Sequence, residues 1–153
     1  MLQRKQTLWM LAALICSVLT FNFAFYTGNV LVGANGHVFM RLRAAPNLGF
    51  GKDSASAGSV LILVITVIII LGLLYDIFMF KARKKQVWII IGLIVLSLLN
   101  IFLYWNASQP PHFVEGNYGM GALLSLAIPV FLFMAARGIR KDEKLVKSAD
   151  RLR

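Results

Sequence analysis

The sequence predicts an all-α membrane protein: a four transmembrane helix bundle with a small external β-hairpin and a C-terminal cytoplasmic amphipathic helix. Four long apolar runs divide a chain of 153 residues that is 59% hydrophobic and 14% charged, whereas soluble domains carry about 25% charged residues. Basic residues cluster in alternate connections between these runs. An Asn-Gly pair separates two strand-like segments in the first long connection. These three observations define the predicted fold.

The four apolar runs are the predicted spans, at residues 7–25, 60–80, 87–105 and 120–136 of a single membrane domain. A helix needs about 20 residues to cross the hydrocarbon layer, so the fourth and shortest run is marginal, but it can extend at both ends through small residues. The runs are rich in β-branched residues, but in lipid a helix satisfies its own backbone hydrogen bonds, and we therefore predict helices. The first run is too long for a cleaved signal peptide and is interpreted as a retained helix.

Two external connections are predicted, at residues 26–59 and 106–119. The first is long for a structureless loop. Two strand-like runs flank the sequence GANG at residues 33–36, and Asn-Gly is a strong hairpin signal. We predict a β-hairpin over residues 29–42. Because a two-stranded ribbon is marginal alone, it is expected to pack on the second external connection or on the end of the bundle.

The basic residues determine the predicted orientation, because lysine and arginine accumulate in cytoplasmic flanks. With four spans, the basic N-terminus, the second connection and the tail at 137–153 share one side of the membrane, and both termini are cytoplasmic. The net charge of +10 then reflects topology and anionic headgroups of the phospholipid bilayer, and no nucleic acid partner is predicted. The residues predicted to contact lipid or a protein partner are Lys81, Arg83, Lys84, Lys85, Arg140, Lys141, Lys144, Lys147 and Arg151.

The tail has the pattern of an amphipathic helix. Leu145, Val146, Ala149 and Leu152 are spaced as one stripe, which predicts a helix that continues from the fourth span with a kink at Gly138. One hypothesis places this helix on the headgroups, with its basic residues against anionic lipid. The other hypothesis docks it on a membrane-complex or cytoplasmic protein partner, and the acidic residues among the basic ones favour this second hypothesis.

Both ends of the chain resemble a known family. The opening MLQRKQTLWMLAA, the finish IRKDEKLVKSADRLR and the four spans between them resemble DUF4293, a domain-of-unknown-function family of small four-helix integral membrane proteins of the Bacteroidota. The resemblance covers the whole chain, and the tail is its most specific part. It implies a multi-pass protein of the bacterial inner membrane, and it supplies no catalytic residues.

Three polar residues form the candidate intramembrane site. Asp76 is the one acidic residue within a span, while Asn22 and Asn100 lie toward the outer ends of the first and third spans. An ionisable residue inside a membrane is a functional candidate. The alternatives are a structural pair between Asp76 and Lys81, and hydrogen bonds between helices for the two asparagines. A polar pocket that opens outward and contains Asn22 and Asn100 is a further alternative.

No metal, cofactor or catalytic residue is predicted. His37, His112 and Glu115 do not have the spacing of a zinc site, and motifs for phosphate binding or acyl transfer are absent from the sequence. We therefore expect a non-enzymatic accessory or scaffold subunit of a membrane assembly. The alternative is a small transporter or channel that acts as an oligomer and uses Asp76 or the asparagine pair.

Overall fold

The computed structural model describes residues 5–31, 37–42, 57–79, 83–109 and 115–150. The side chains described are those of residues 7–28, 41–42, 60–79, 85–109 and 116–141. The described residues form four helices and three strands, which confirms the predicted four-helix architecture. In chain order these are α1 (Lys5–Leu19), β1 (Tyr26–Leu31), β2 (His37–Leu42), α2 (Ala57–Phe78), α3 (Arg83–Ser108), β3 (Glu115–Tyr118) and α4 (Met120–Asp150).

Three of the four helices are long and apolar enough to cross a membrane. Their candidate spans are Val60–Phe78, Lys85–Ser108 and Met120–Lys141, whereas the apolar part of α1 is the shorter segment Thr7–Leu19. The prediction that the fourth run is the shortest is therefore wrong. The helix of that run continues beyond residue 136 through its more polar end, and α1 ends early.

Helix α1 ends at Leu19, six residues before the predicted end of the first span at Phe25. Its last turn closes through backbone hydrogen bonds to carbonyls three or four residues earlier, and the Phe25 N–H then donates to the Leu42 carbonyl at 2.8 Å. The carbonyls of Ala24 and Phe25 accept from the N–H groups of Gly121 and Gly119, each at 2.9 Å. Backbone outside a helix is tolerated at membrane depth only where the protein satisfies it. Strand β2 and the start of α4 supply those partners, so the chain leaves the helix although most of its residues remain apolar.

The strands form one antiparallel sheet in the order β2-β1-β3. Strand β1 pairs with β2 from Tyr26↔Leu42 to Leu31↔His37, which confirms the predicted hairpin and starts it three residues earlier; the predicted turn lies outside the described residues. Strand β3 comes from the second predicted external connection and pairs with β1 from Tyr26↔Tyr118 to Asn29↔Glu115. The hairpin thus packs on that connection as predicted, through an added third strand.

The sheet lies at one end of the bundle, which we call the sheet end; we call the opposite end the tail end. At the sheet end the rings of Phe25 and Tyr104 stack with centroids 4.5 Å apart, and Ile62 is buried in the same cluster. The aromatic cluster extends to Tyr118, whose ring meets those of Phe25 and Tyr26 edge-on. These contacts hold the sheet against α2 and α3.

A second, larger core extends from the middle of the bundle to the tail end. All four helices contribute to it, with Met10 from α1, Leu73 from α2, Ile90 from α3 and Leu132 from α4 all buried. Large apolar side chains on the opposite faces of the same helices are exposed, among them Leu71, Trp88, Phe102 and Phe133. A bundle with a packed interior and an apolar exterior is typical of helices that face lipid.

Helix α4 is a single helix of 31 residues that contains Pro129. It is helical throughout, through Gly138 to Asp150, and the bend predicted at Gly138 stays a prediction. The predicted tail helix is confirmed as a helix up to Asp150, and it belongs to α4 instead of forming a separate element.

Candidate functional site

Asp76 lies near the C-terminal end of α2 and is completely buried, with 0% of its surface exposed. It follows Leu73 by three residues and therefore occupies the face of α2 that points into the core. Neither carboxyl oxygen of Asp76 has a hydrogen-bond partner among the residues that the structure describes. The sequence-based candidate is thus an acid enclosed at the tail end of the bundle.

Gln86 is a polar neighbour that hydrogen-bonds to the backbone of Asp76, and it was not singled out from the sequence. It lies on the first turn of α3 with 5% of its surface exposed. Its Nε2 donates to the backbone carbonyl of Asp76 at 3.3 Å and lies 3.8 Å from Sδ of Met10. One amide group therefore joins α1, α2 and α3 around Asp76. The spacing of Gln86 with Ile90 and Leu93 was the available signal, because it places Gln86 on the core stripe of α3.

Asn100 belongs to a second buried polar group, nearer the sheet end. Its Nδ2 donates to Oγ1 of Thr66 at 3.0 Å, and this hydroxyl donates to the Ile62 carbonyl at 2.7 Å. A side-chain hydrogen bond also joins Thr66 with Tyr104. Oδ1 of Asn100 is buried and has no partner within the described part of the chain. These contacts join α2 to α3, as hydrogen bonds between membrane helices do.

The three candidate polar residues do not form one site. Asn22 is exposed in the turn that follows α1, whereas Asn100 is buried between α2 and α3. Asp76 follows Thr66, the partner of Asn100, by ten residues of the same helix, which corresponds to an axial distance of about 15 Å. Asp76 with Gln86 and Asn100 with Thr66 are therefore separate buried polar groups, the first nearer the tail end and the second nearer the sheet end.

The predicted contact residues lie at the tail end wherever the structure describes them. The side chains of Lys85, Arg140 and Lys141 are exposed. Lys81 and Arg151 lie outside the described residues, and the other predicted contact residues occupy helical positions whose side chains are not described: Arg83, Lys84, Lys144 and Lys147.

Among the described residues there is no group of three His, Cys, Asp or Glu side chains that could hold a metal ion.

Comparisons with known proteins identify the family. No curated protein and no solved structure matches the chain. The model of the family described as "Domain of unknown function (DUF4293)" matches residues 2–152. The match covers almost the entire sequence, and the protein therefore belongs to the DUF4293 family.

Proposed function

We propose that this protein is a non-enzymatic accessory or scaffold subunit of a bacterial inner-membrane assembly, and that α4 presents a rigid docking helix to a cytoplasmic partner. Both termini are cytoplasmic in this proposal, because the tail end carries the basic residues and such residues accumulate on that side. The sheet end is then external. The observation that carries the proposal is the continuity of α4 from Met120 to Asp150.

The length of α4 exceeds the thickness of a bilayer. Its 31 residues correspond to about 46 Å, against about 30 Å of hydrocarbon. The candidate span ends at Lys141, so the nine remaining helical residues lengthen the helix by about 14 Å beyond it. An amphipathic helix that binds lipid lies in the plane of the interface. A tail that continues the axis of a spanning helix points away from that plane, which supports docking on a protein over adsorption to headgroups.

The exposed face of α4 changes character along its length. Four of its exposed apolar side chains have spacings of three and four residues and form one stripe: Leu123, Leu126, Val130 and Phe133. The same spacing continues through Arg137 and Arg140, which are exposed, and then reaches the lysines at positions 144 and 147. One face of α4 is thus apolar along the span and basic beyond it. The basic part is a binding site for an acidic partner surface, and its position is fixed relative to the bundle.

The rotation of the tail relative to the bundle tests this proposal. Companions are first identified by mild-detergent pull-down, as proteins retained by the full chain and lost from a chain that ends at Arg140. Two alanines inserted after Lys141 turn the tail by about 200°, whereas four turn it by about 400°, a net change of only 40°. We expect the two-residue insertion to weaken capture at least tenfold (~1.4 kcal/mol) and the four-residue insertion to retain most of it.

The four-residue insertion is the matched control, because it displaces the tail further along the axis and adds more residues. Equal capture by both insertion variants would show that the tail does not bind as a rigid extension of α4. A full chain that captures no companion, together with tail-dependent binding to anionic vesicles, would assign the tail to lipid.

A second candidate function, a small transporter or channel acting as an oligomer, is favoured by one specific observation. Asp76 is fully buried and both its carboxyl oxygens are without a described partner, and buried acids in membrane helices are frequent parts of proton and ion pathways. This role requires the Asp76 carboxyl to exchange a proton or ion with solvent during a transport cycle.

A further inference from the structure

The side chains that the structure describes around Asp76 at the tail end of the bundle are uncharged. The described core side chains at this end belong to Met10, Leu73, Gln86, Ile90 and Ile139. The described basic side chains of the neighbouring segments are exposed: Lys85, Arg137, Arg140 and Lys141. Lys81 lies outside the described residues, and the side chains of Arg83 and Lys84 are not described. The described environment of Asp76 therefore contains no counter-charge.

An ionised carboxylate is poorly accommodated in such a place. Burial removes it from water, and only a partner charge or several hydrogen bonds offset that loss. A proton compensates the charge by binding to a single oxygen. A hard metal cation takes about six oxygen ligands, whereas the side chain of Gln86, which hydrogen-bonds to the backbone of Asp76, could add only one oxygen. The surroundings favour a proton over a metal cation.

We propose that Asp76 is a proton-binding site at the cytoplasmic end of the bundle. One carboxylate oxygen forms an O–H bond with a proton taken from cytoplasmic water, and the neutral carboxylic acid is the form that the closed bundle encloses. Gln86 secures this closed form, because its amide joins the end of α2 to α3 and contacts Met10 of α1. Release of the proton requires these contacts to open. The inference rests on the proposed orientation of the bundle but not on the docking role of the tail.

Infrared difference spectroscopy on the full chain tests this site. The protein is reconstituted in vesicles of phosphatidylethanolamine and phosphatidylglycerol, and the carbonyl stretch of a protonated carboxylic acid is recorded at neutral pH. The chain has six acidic residues, so the band is assigned with variants. We expect the wild type to show an acid band that Asp76→Asn removes and that the matched control Asp142→Asn leaves unchanged.

A second measurement follows the exchange of the acid proton in D2O. Gln86→Ala removes the amide that links α2 to α3, so the deuterium shift of the acid band is expected to become at least tenfold faster than in the wild type. This variant retains Asp76 itself, and the wild-type band provides the reference even when Asp76→Asn folds poorly.

Two outcomes would overturn the proposal. A wild-type spectrum without an acid band at neutral pH would mean that Asp76 is ionised; the appearance of that band on Lys81→Ala would then identify an ion pair with Lys81. A band that persists in Asp76→Asn would assign the buried proton to another residue.

Discussion

Gly121→Ala is expected to lower the free energy of unfolding by about 2 kcal/mol. A Cβ atom at Gly121 would lie 2.6 Å from the carbonyl carbon and oxygen of Ala24 and from the carbonyl oxygen of Phe23. These are backbone atoms, and they cannot yield as the end of a flexible side chain does. Insertion of a methyl group into such a contact costs about 1–3 kcal/mol. The added atom would also strain the 2.9 Å hydrogen bond from the Gly121 N–H to the Ala24 carbonyl.

Gly92→Ala is the matched control for this substitution. Gly92 lies within α3, and an added Cβ there meets no atom within 4 Å. Unfolding by SDS titration in mixed micelles compares the two variants under one condition. We expect Gly92→Ala to be neutral or slightly stabilising, since alanine favours helix over glycine. Equal stability of the two variants would contradict the close approach of α4 to the segment that follows α1.

Tyr104→Ala is expected to have the largest effect on stability, a loss of about 3–5 kcal/mol. The side chain is 1% exposed and stacks on Phe25 at 4.5 Å. It also shares a hydrogen bond with Thr66. Its removal leaves a cavity where the sheet meets α2 and α3, and the tethering of the sheet weakens with it. Tyr104→Phe retains the stacked ring and is expected to cost less than about 1 kcal/mol, the loss of one intramembrane hydrogen bond.

The adjacent residue provides the control for Tyr104. Trp105 has a larger ring system but is 55% exposed on the outside of the bundle. We expect Trp105→Ala to change the unfolding free energy by about 0.5 kcal/mol or less, as exposed substitutions do. A loss for Trp105→Ala as large as that for Tyr104→Ala would show that the sheet is not anchored through the buried ring.

Hydropathy predicted the helices well where an apolar run is helical along its whole length. The runs that became α2 and α3 were located within a few residues of their candidate spans, because a long apolar run in lipid must form a helix. It failed at residues 20–25, where the chain remains apolar but its backbone bonds to β2 and to the start of α4. Such bonds join segments far apart in sequence, so no local pattern reveals them.

Strand β3 also depends on contacts between distant segments and could not be predicted from its local sequence. Its sequence EGNY contains glycine and asparagine, which are depleted in strands. It forms a strand because β1 offers an open edge, and because Gly116 permits a close approach to the backbone of Thr27 and Gly28. The hairpin between β1 and β2, by contrast, follows from a local turn signal and was predicted.

The candidate site was predicted in part. Asp76 was identified from the sequence because it is an acidic residue within a long apolar run. Gln86 lies at the boundary between a basic segment and an apolar one, where a polar residue is expected and does not indicate a buried site. Its role becomes visible only through the register of α3, which places it on the same face as Ile90, Leu93 and Asn100. Asn22 was grouped with Asn100 on the assumption of a longer first helix, and the early end of α1 separates them.

Nitroxide scanning of the tail tests most directly whether α4 projects from the membrane as one helix. Cys16 is the single cysteine, so a Cys16→Ser background accepts one label at each position from 142 to 150 in lipid vesicles. A projecting helix predicts high accessibility to a water-soluble nickel chelate on every face at the positions furthest from Lys141. A helix on the headgroups predicts instead a 3.6-residue oscillation, with labels at Leu145 and Ala149 accessible to oxygen and protected from nickel. That oscillation would contradict a projecting docking helix.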